Sequence, residues 1–215
     1  MSALYLSLVD FLRGDWELAA AEAEEGYSTS FRNVGRGAIV GTLFRQRAYL
    51  GDRSGALALL VEERDAMPVA GRPNAGGAWN LLILVIEGLT VLGEREKAAA
   101  LYPLARELLG TRAVWTWAAP RFMQTAAGIA AAAAREWTEA ERHFAVATQQ
   151  ARDLPFPLEQ TELRRFRAMM LLDRGDAGDR ATARSLLREA ADDYARFGMP
   201  RHRELTERLL DASAT

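Results

Sequence analysis

The chain of 215 residues is 49% hydrophobic and 26% charged, which excludes a disordered tail, a collagen or a mucin-like stalk and allows one or two domains with cores of their own. It has no cysteine and only two histidines, His143 and His202, 59 positions apart, so thiolate metal sites, iron–sulfur clusters, thiol nucleophiles and disulfides are excluded and no metal or other cofactor is expected. With 27 basic against 29 acidic residues the net charge is −2, which argues against a surface devoted to nucleic acid or to an anionic membrane.

The first fifteen residues lack a basic lead and carry Asp10 within their apolar run, so they read as a first helix, not a secretory signal. Helix-period apolar residues then recur along the chain, as in Leu43, Phe44 and Leu50 before Gly51 and Ala56, Leu57, Leu59 and Leu60 after it. The period-2 pattern of strands is absent. The expected units are hairpins over about 2–30, 34–67, 76–110, 115–153 and 157–197, followed by a helix over about 201–211. The loop Gly71–Gly77 follows no strand and lacks the Gly-Lys-Ser/Thr ending of a phosphate loop, so it reads as a linker. Pro103 falls well inside the second helix of the third hairpin and is expected to kink it, whereas Pro120 is expected in the first turn of a helix. The apolar run Leu81–Ile86 and the alanine-rich run Ala126–Ala134 both fall far short of the ~20 residues that span a bilayer. A cytoplasmic location is therefore expected. Lys97 is the only lysine, so 26 of the 27 basic residues are Arg; with this much alanine, that usage points to a GC-rich bacterial genome.

The turns carry a repeat. Leu12-Arg13-Gly14-Asp15-Trp16, Leu50-Gly51-Asp52, Leu92-Gly93-Glu94 and Ala134-Arg135-Glu136-Trp137 share one layout, with an alanine five positions after the glycine or its substitute Arg135. A fifth copy at Gly175 fits if three residues are inserted, and the aligned alanines, Ala19, Ala56, Ala98, Ala140 and Ala183, are 37, 42, 42 and 43 residues apart. Glycine takes the left-handed conformation that stops one helix, and the acidic residue is expected to cap the next. With Trp16 and Trp137 two after the turn position, Leu60, Tyr102, Phe144 and Leu187 four after the alanine, and Ala105, Ala147 and Ala190 seven after it, the pattern resembles the tetratricopeptide repeat. The longer period resembles the helical sensor region of the maltose-operon activator, of LuxR-type ATPases and of ATPase-linked nucleotide cyclases. The stretch Leu154–Leu163, Arg180–Ala191 and Tyr194–Pro200 is the best single match. The resemblance implies an all-α, right-handed superhelical solenoid of about five antiparallel hairpins with a C-terminal capping helix. It further implies a non-enzymatic interaction or effector-sensing module of a bacterial signalling or transcription-regulatory protein. In such regulators a DNA-binding domain often follows; the chain stops at Thr215, so direct nucleic-acid binding is not expected of it.

In a stacked array the first helix of each pair lines the concave side. The positions 6, 10 and 13 before each turn share one helical face, and they nominate Arg45, Asn80, Ile83, Glu87, Phe122, Thr125, Ile129, Arg165 and Met169 as an exposed groove for a protein or peptide partner. Asn80 and Glu87 interrupt an otherwise apolar helix and must find water or a partner; the alternative is a solvated, mutually paired face. Trp115 and Trp117, beside Phe122 and Met123, suit either inter-repeat packing or an interface, including that of a homodimer acting as a stand-alone adaptor or scaffold. A small-molecule sensor would instead need a cavity around Ile83, Phe122 and Ile129. Arg164, Arg165, Arg167 and Arg174 could cradle a phosphate or an acidic peptide, but Glu159, Glu162 and Asp173 are near enough to neutralise them. His143 and His202 have no neighbours at catalytic spacing and read as packing or surface residues. The acidic run Glu17, Glu22, Glu24 and Glu25 reads as a solvated face.

Overall fold

The computed structural model describes residues 3–29, 35–116 and 120–214, and among these residues the regular structure is helical apart from one two-stranded ribbon. The helices are α1 (Ala3–Arg13), α2 (Trp16–Thr29), α3 (Arg36–Tyr49), α4 (Arg53–Glu62), α5 (Gly76–Val91), α6 (Arg95–Ala100), α7 (Tyr102–Leu109), α8 (Met123–Ala133), α9 (Trp137–Asp153), α10 (Pro157–Arg174), α11 (Asp179–Arg196) and α12 (Pro200–Ala212). No helix among the described residues is long and apolar enough to cross a membrane.

The repeated turns have a common backbone. Gly14, Gly51, Gly93 and Gly175 all have φ between 72° and 95°, and Arg135 takes φ 61° where the fourth copy lacks glycine. The helices that flank each turn pack on each other, α1 on α2, α3 on α4, α5 on α6, α8 on α9 and α10 on α11. The five aligned alanines are all fully buried, because a methyl group is the largest side chain that lets the paired helices approach at that point. The acidic turn residues act less uniformly than expected. Asp52 accepts a hydrogen bond from the Gly55 N–H, but Glu94 and Glu136 hold the same N-cap position without accepting from a backbone N–H of the helix. Glu94 instead pairs with Lys97 and Arg53.

Two prolines depart from expectation. Pro103 does not kink a continuous helix: the segment divides at Leu101, and Pro103 lies in the first turn of α7, where its missing N–H costs nothing. Pro120 does not open a helix. Thr116 bridges to it, and the chain pairs as an antiparallel ribbon, Trp115 opposite Phe122 and Thr116 opposite Arg121, before α8 starts at Met123.

The helices α3 and α5 approach each other closely. A Cβ on Gly37 would lie 2.3 Å from the Gly77 carbonyl oxygen, and one on Gly88 would lie 2.6 Å from the Phe44 ring, so glycine is what brings the two backbones together. At the other end of the chain, α12 folds back against the first turn. Pro200 would stand 3.0 Å from a Cβ on Gly14, Arg201 pairs with Glu17 at 2.6 Å and lies over the Trp16 ring, and Leu205 joins the cluster of Phe11, Trp16 and Tyr49. The part of the nominated face that holds Arg45 and Glu87 is thereby covered.

Candidate functional site

Charged and polar side chains from six elements meet at the centre of the fold. Arg45 and Tyr49 come from α3 and Glu87 from α5, while Arg121 is carried inward by the ribbon. Glu159, Glu162 and Arg165 come from α10, Tyr194 from α11 and His202 from α12. All nine are buried. Arg121 joins three carboxylates, donating to Glu87 at 2.8 Å, to Glu159 at 2.9 Å and to Glu162 at 3.1 Å. Arg165 donates to Glu162 at 2.6 Å, to the Tyr49 hydroxyl at 2.7 Å and to the Tyr194 hydroxyl at 3.1 Å. Tyr49 in turn donates to Glu87 at 2.9 Å, and Tyr194 donates to Glu162. Glu159 also accepts from the Phe122 N–H at 3.0 Å and from the Thr125 hydroxyl at 2.5 Å.

Burial of this kind is tolerated only where hydrogen bonds and opposite charge replace water. Burial disfavours the ionised form of Glu162, but Arg165 and Arg121 outweigh it and hold the carboxyl well below the usual range. At Glu87 burial is likewise outweighed, there by Arg121 and Arg45. At Glu159 burial wins: the carboxyl is pushed up to about 7, against the opposing pull of Arg121, Thr125 and the Phe122 N–H. His202 sits among the rings of Phe11, Trp16, Tyr49 and Tyr194 with centroid distances of 4.7 to 5.7 Å, and burial lowers it to about 3.

This arrangement corrects the expected exposure of the nominated face. Arg45, Asn80, Ile83, Glu87, Phe122, Thr125, Ile129 and Arg165 are all buried, and their partners are other parts of the same chain. Asn80 accepts from Thr116 and so ties the ribbon to α5. Ile83, Phe122 and Ile129 belong to the largest apolar cluster. Arg165 does pair with Glu162, as spacing suggested, while Arg164, Arg167 and Arg174 turn outward to Glu189 and Asp193, to Glu141, and to Asp179. Asp173 pairs with Arg95 instead. Of the acidic run near the N-terminus, Glu17 and Glu24 have partners in Arg201 and Arg47. His143 is buried, and its Nε2 lies 3.2 Å from the Tyr102 hydroxyl. Trp115 is exposed, with its ring edge-on to Phe156, and Trp117 lies outside the described residues.

Sequence reasoning missed Arg121, Tyr49 and Tyr194 as members of a centre and took Glu159 only as a local partner of the α10 arginines. The available signal at Arg121 was a lone charge between Pro120 and the apolar pair Phe122-Met123. A buried charge in such a run needs a counter-charge from elsewhere in the fold.

One part of the nominated face stays open. Ile129 of α8 and Met169 of α10 border a cleft of about 290 Å³, together with Thr90, Phe166, Met170 and the Arg95–Asp173 pair at its edge. Its walls are mostly aliphatic and thioether groups, which adapt to the shape of an apolar insert. Among the described residues no group of three or more His, Asp or Glu side chains is placed to hold a metal ion. Comparison of the chain with protein-family models, with curated proteins and with solved structures finds no match.

Proposed function

We propose that the chain is a non-enzymatic protein-interaction or effector-sensing module, the helical region of a bacterial signalling or transcription-regulatory protein, built as a right-handed solenoid of five hairpins and a capping helix. The observation that carries this reading is the open apolar cleft at Ile129 and Met169, on the same helical face whose polar positions are closed by the protein itself. Its volume of about 290 Å³ falls just below the roughly 300–1,000 Å³ of small-molecule pockets. It therefore suits one or two apolar side chains of a partner segment better than a large effector. An insert between α8 and α10 bears on the two elements that flank the ionic centre, and preferential binding to one spacing of those helices shifts the population toward it.

The test is a photo-crosslinking amino acid placed at Met169 and, as a control, at the exposed Val61 of α4, followed by induction in the native cell and mass spectrometry of the adducts. A discrete adduct from position 169 that is missing from position 61 is the expected result. Equal labelling from both positions, or none from 169, overturns the assignment of the cleft. The mass of the native gene product, measured in the same cells, tells a sensor arm of a larger regulator from a free-standing adaptor.

A further inference from the structure

The ionic centre contains three guanidiniums and three carboxyl groups, yet it is not internally satisfied. The guanidinium hydrogen bonds to Glu87, Glu159 and Glu162 come from Arg121 and Arg165. Arg45 is fully enclosed, stacks on the Phe11 ring at 4.4 Å, and has no hydrogen-bond partner at Nε or Nη2. These two nitrogens form the side edge of the guanidinium, with N–H bonds that run parallel, the edge that normally receives an anion. His202 Nδ1 also lacks a partner. Arg45 and His202 face one small cavity of about 10 Å³, bounded as well by Phe11, Pro120, Arg121 and Glu162.

Charge and size together define what fits there. Glu87 and Glu162 oppose the charge of Arg45, but its two buried N–H groups at Nε and Nη2 have no acceptor, so an anion at that bare edge would offset the cost of leaving them unmet. The volume admits about one water-sized sphere, so a single monatomic anion fits with a small outward shift of its neighbours, whereas carboxylate, phosphate and sulfate are larger still. The carboxylates that face the cavity do not compete for Arg45, because Glu87 already accepts from Tyr49 and Arg121, and Glu162 from Arg121, Arg165 and Tyr194. We infer that this cavity is a halide site, in which one chloride ion accepts hydrogen bonds from Nε and Nη2 of Arg45 and lies against His202. The elevated titration of Glu159 acts in the same direction, since a neutral carboxyl there leaves the centre one negative charge short. The site joins α3 to α1 through Phe11 and to α12 through His202, so chloride would hold the C-terminal helix against the first turn.

Two measurements on the intact chain decide this. Crystals grown in sodium bromide are expected to give an anomalous peak within hydrogen-bond distance of Arg45 Nε and Nη2. Exchange of gluconate for chloride at constant ionic strength is expected to raise the folding equilibrium constant saturably, by about tenfold when free chloride is ten times its dissociation constant. The Arg45→Met variant, which keeps an apolar stem and removes the donors, is expected to lose both. If that variant does not fold, the wild-type peak and titration still decide the matter. Water at this position with no anomalous peak overturns the proposal. So does a peak without chloride-dependent stability up to about 0.15 M, the physiological ionic strength, which would mark an adventitious ion only.

Discussion

One helical face meets two fates in this molecule. Where α3, α5 and α10 turn it toward the middle, the residues are Arg45, Glu87 and Arg165, and α12 with the first turn closes over them. Where α8 and α10 turn it toward the rim, Met169 is half-buried and, with the enclosed Ile129 behind it, borders an open cleft. The ordinary hydrophobic rule holds for Ile129 and is broken by the buried Arg45, Glu87 and Arg165. A polar group can be enclosed when specific partners reach it from several elements, and here Arg121, Tyr49 and Tyr194 do so. The cleft beside Met169 is lined mostly by apolar groups, and it is there that a partner segment is proposed to bind.

The largest expected effect tests the closed half. Arg121→Ala leaves Glu87, Glu159 and Glu162 facing one another without the cation that joins them, and a loss of about 3–5 kcal/mol is expected in urea denaturation. Glu87→Ala and Arg165→Ala belong to the same class. The exposed placement first expected for these two positions implies a loss below about 1 kcal/mol, so their measured stabilities separate an enclosed centre from an open groove directly.

A somewhat smaller effect comes from acid. His202 titrates at about 3 in the folded chain against 6.5 when free, so the unfolded state takes up the proton first. Its contribution is fully present above about pH 6.5 and is lost progressively as pH falls toward 3. At pH 5 the loss is about 2 kcal/mol by linkage, and His202→Phe is expected to flatten that part of the stability profile. His143, lowered to about 4 mainly by burial, contributes in the same direction, so the double variant should be flatter still. A wild-type profile unchanged by His202→Phe would mean that the ring is not enclosed.

How much of this was legible depends on the range of the interaction. The helix stops were read correctly from local chemistry, down to Arg135 taking the backbone conformation of the missing glycine, because a stop is decided within a few residues, whereas the acidic caps expected after them form at Asp52 but not at Glu94 or Glu136. The stripe was also a real periodicity: Arg45, Glu87 and Arg165 do meet. Its burial could not be read, because it rests on contacts between distant parts of the chain, Arg165 with Tyr49 at a separation of 116 residues and Arg201 with Glu17 at 184. The ribbon that delivers Arg121 is only two residues on each side, too short for a period-2 signal. Asn80 was correctly seen to need a partner, but that partner, Thr116, lies on the ribbon.

The smallest effect sharpens the same contrast from outside. Arg203 and Glu207 form an i,i+4 pair at 2.8 Å on α12, with both side chains about half exposed. Water solvates each partner whether or not they meet, so Arg203→Ala should change stability by no more than about 0.5 kcal/mol, and less in 1 M salt. The distance is as short as that from Arg121 to Glu87, so geometry alone does not separate the two pairs. What separates them is the medium: removing Arg203 returns Glu207 to water, whereas removing Arg121 strands Glu87 without it. A double-mutant cycle on each pair measures that difference, and comparable losses from Arg203→Ala and Arg121→Ala would show that solvent reaches the centre.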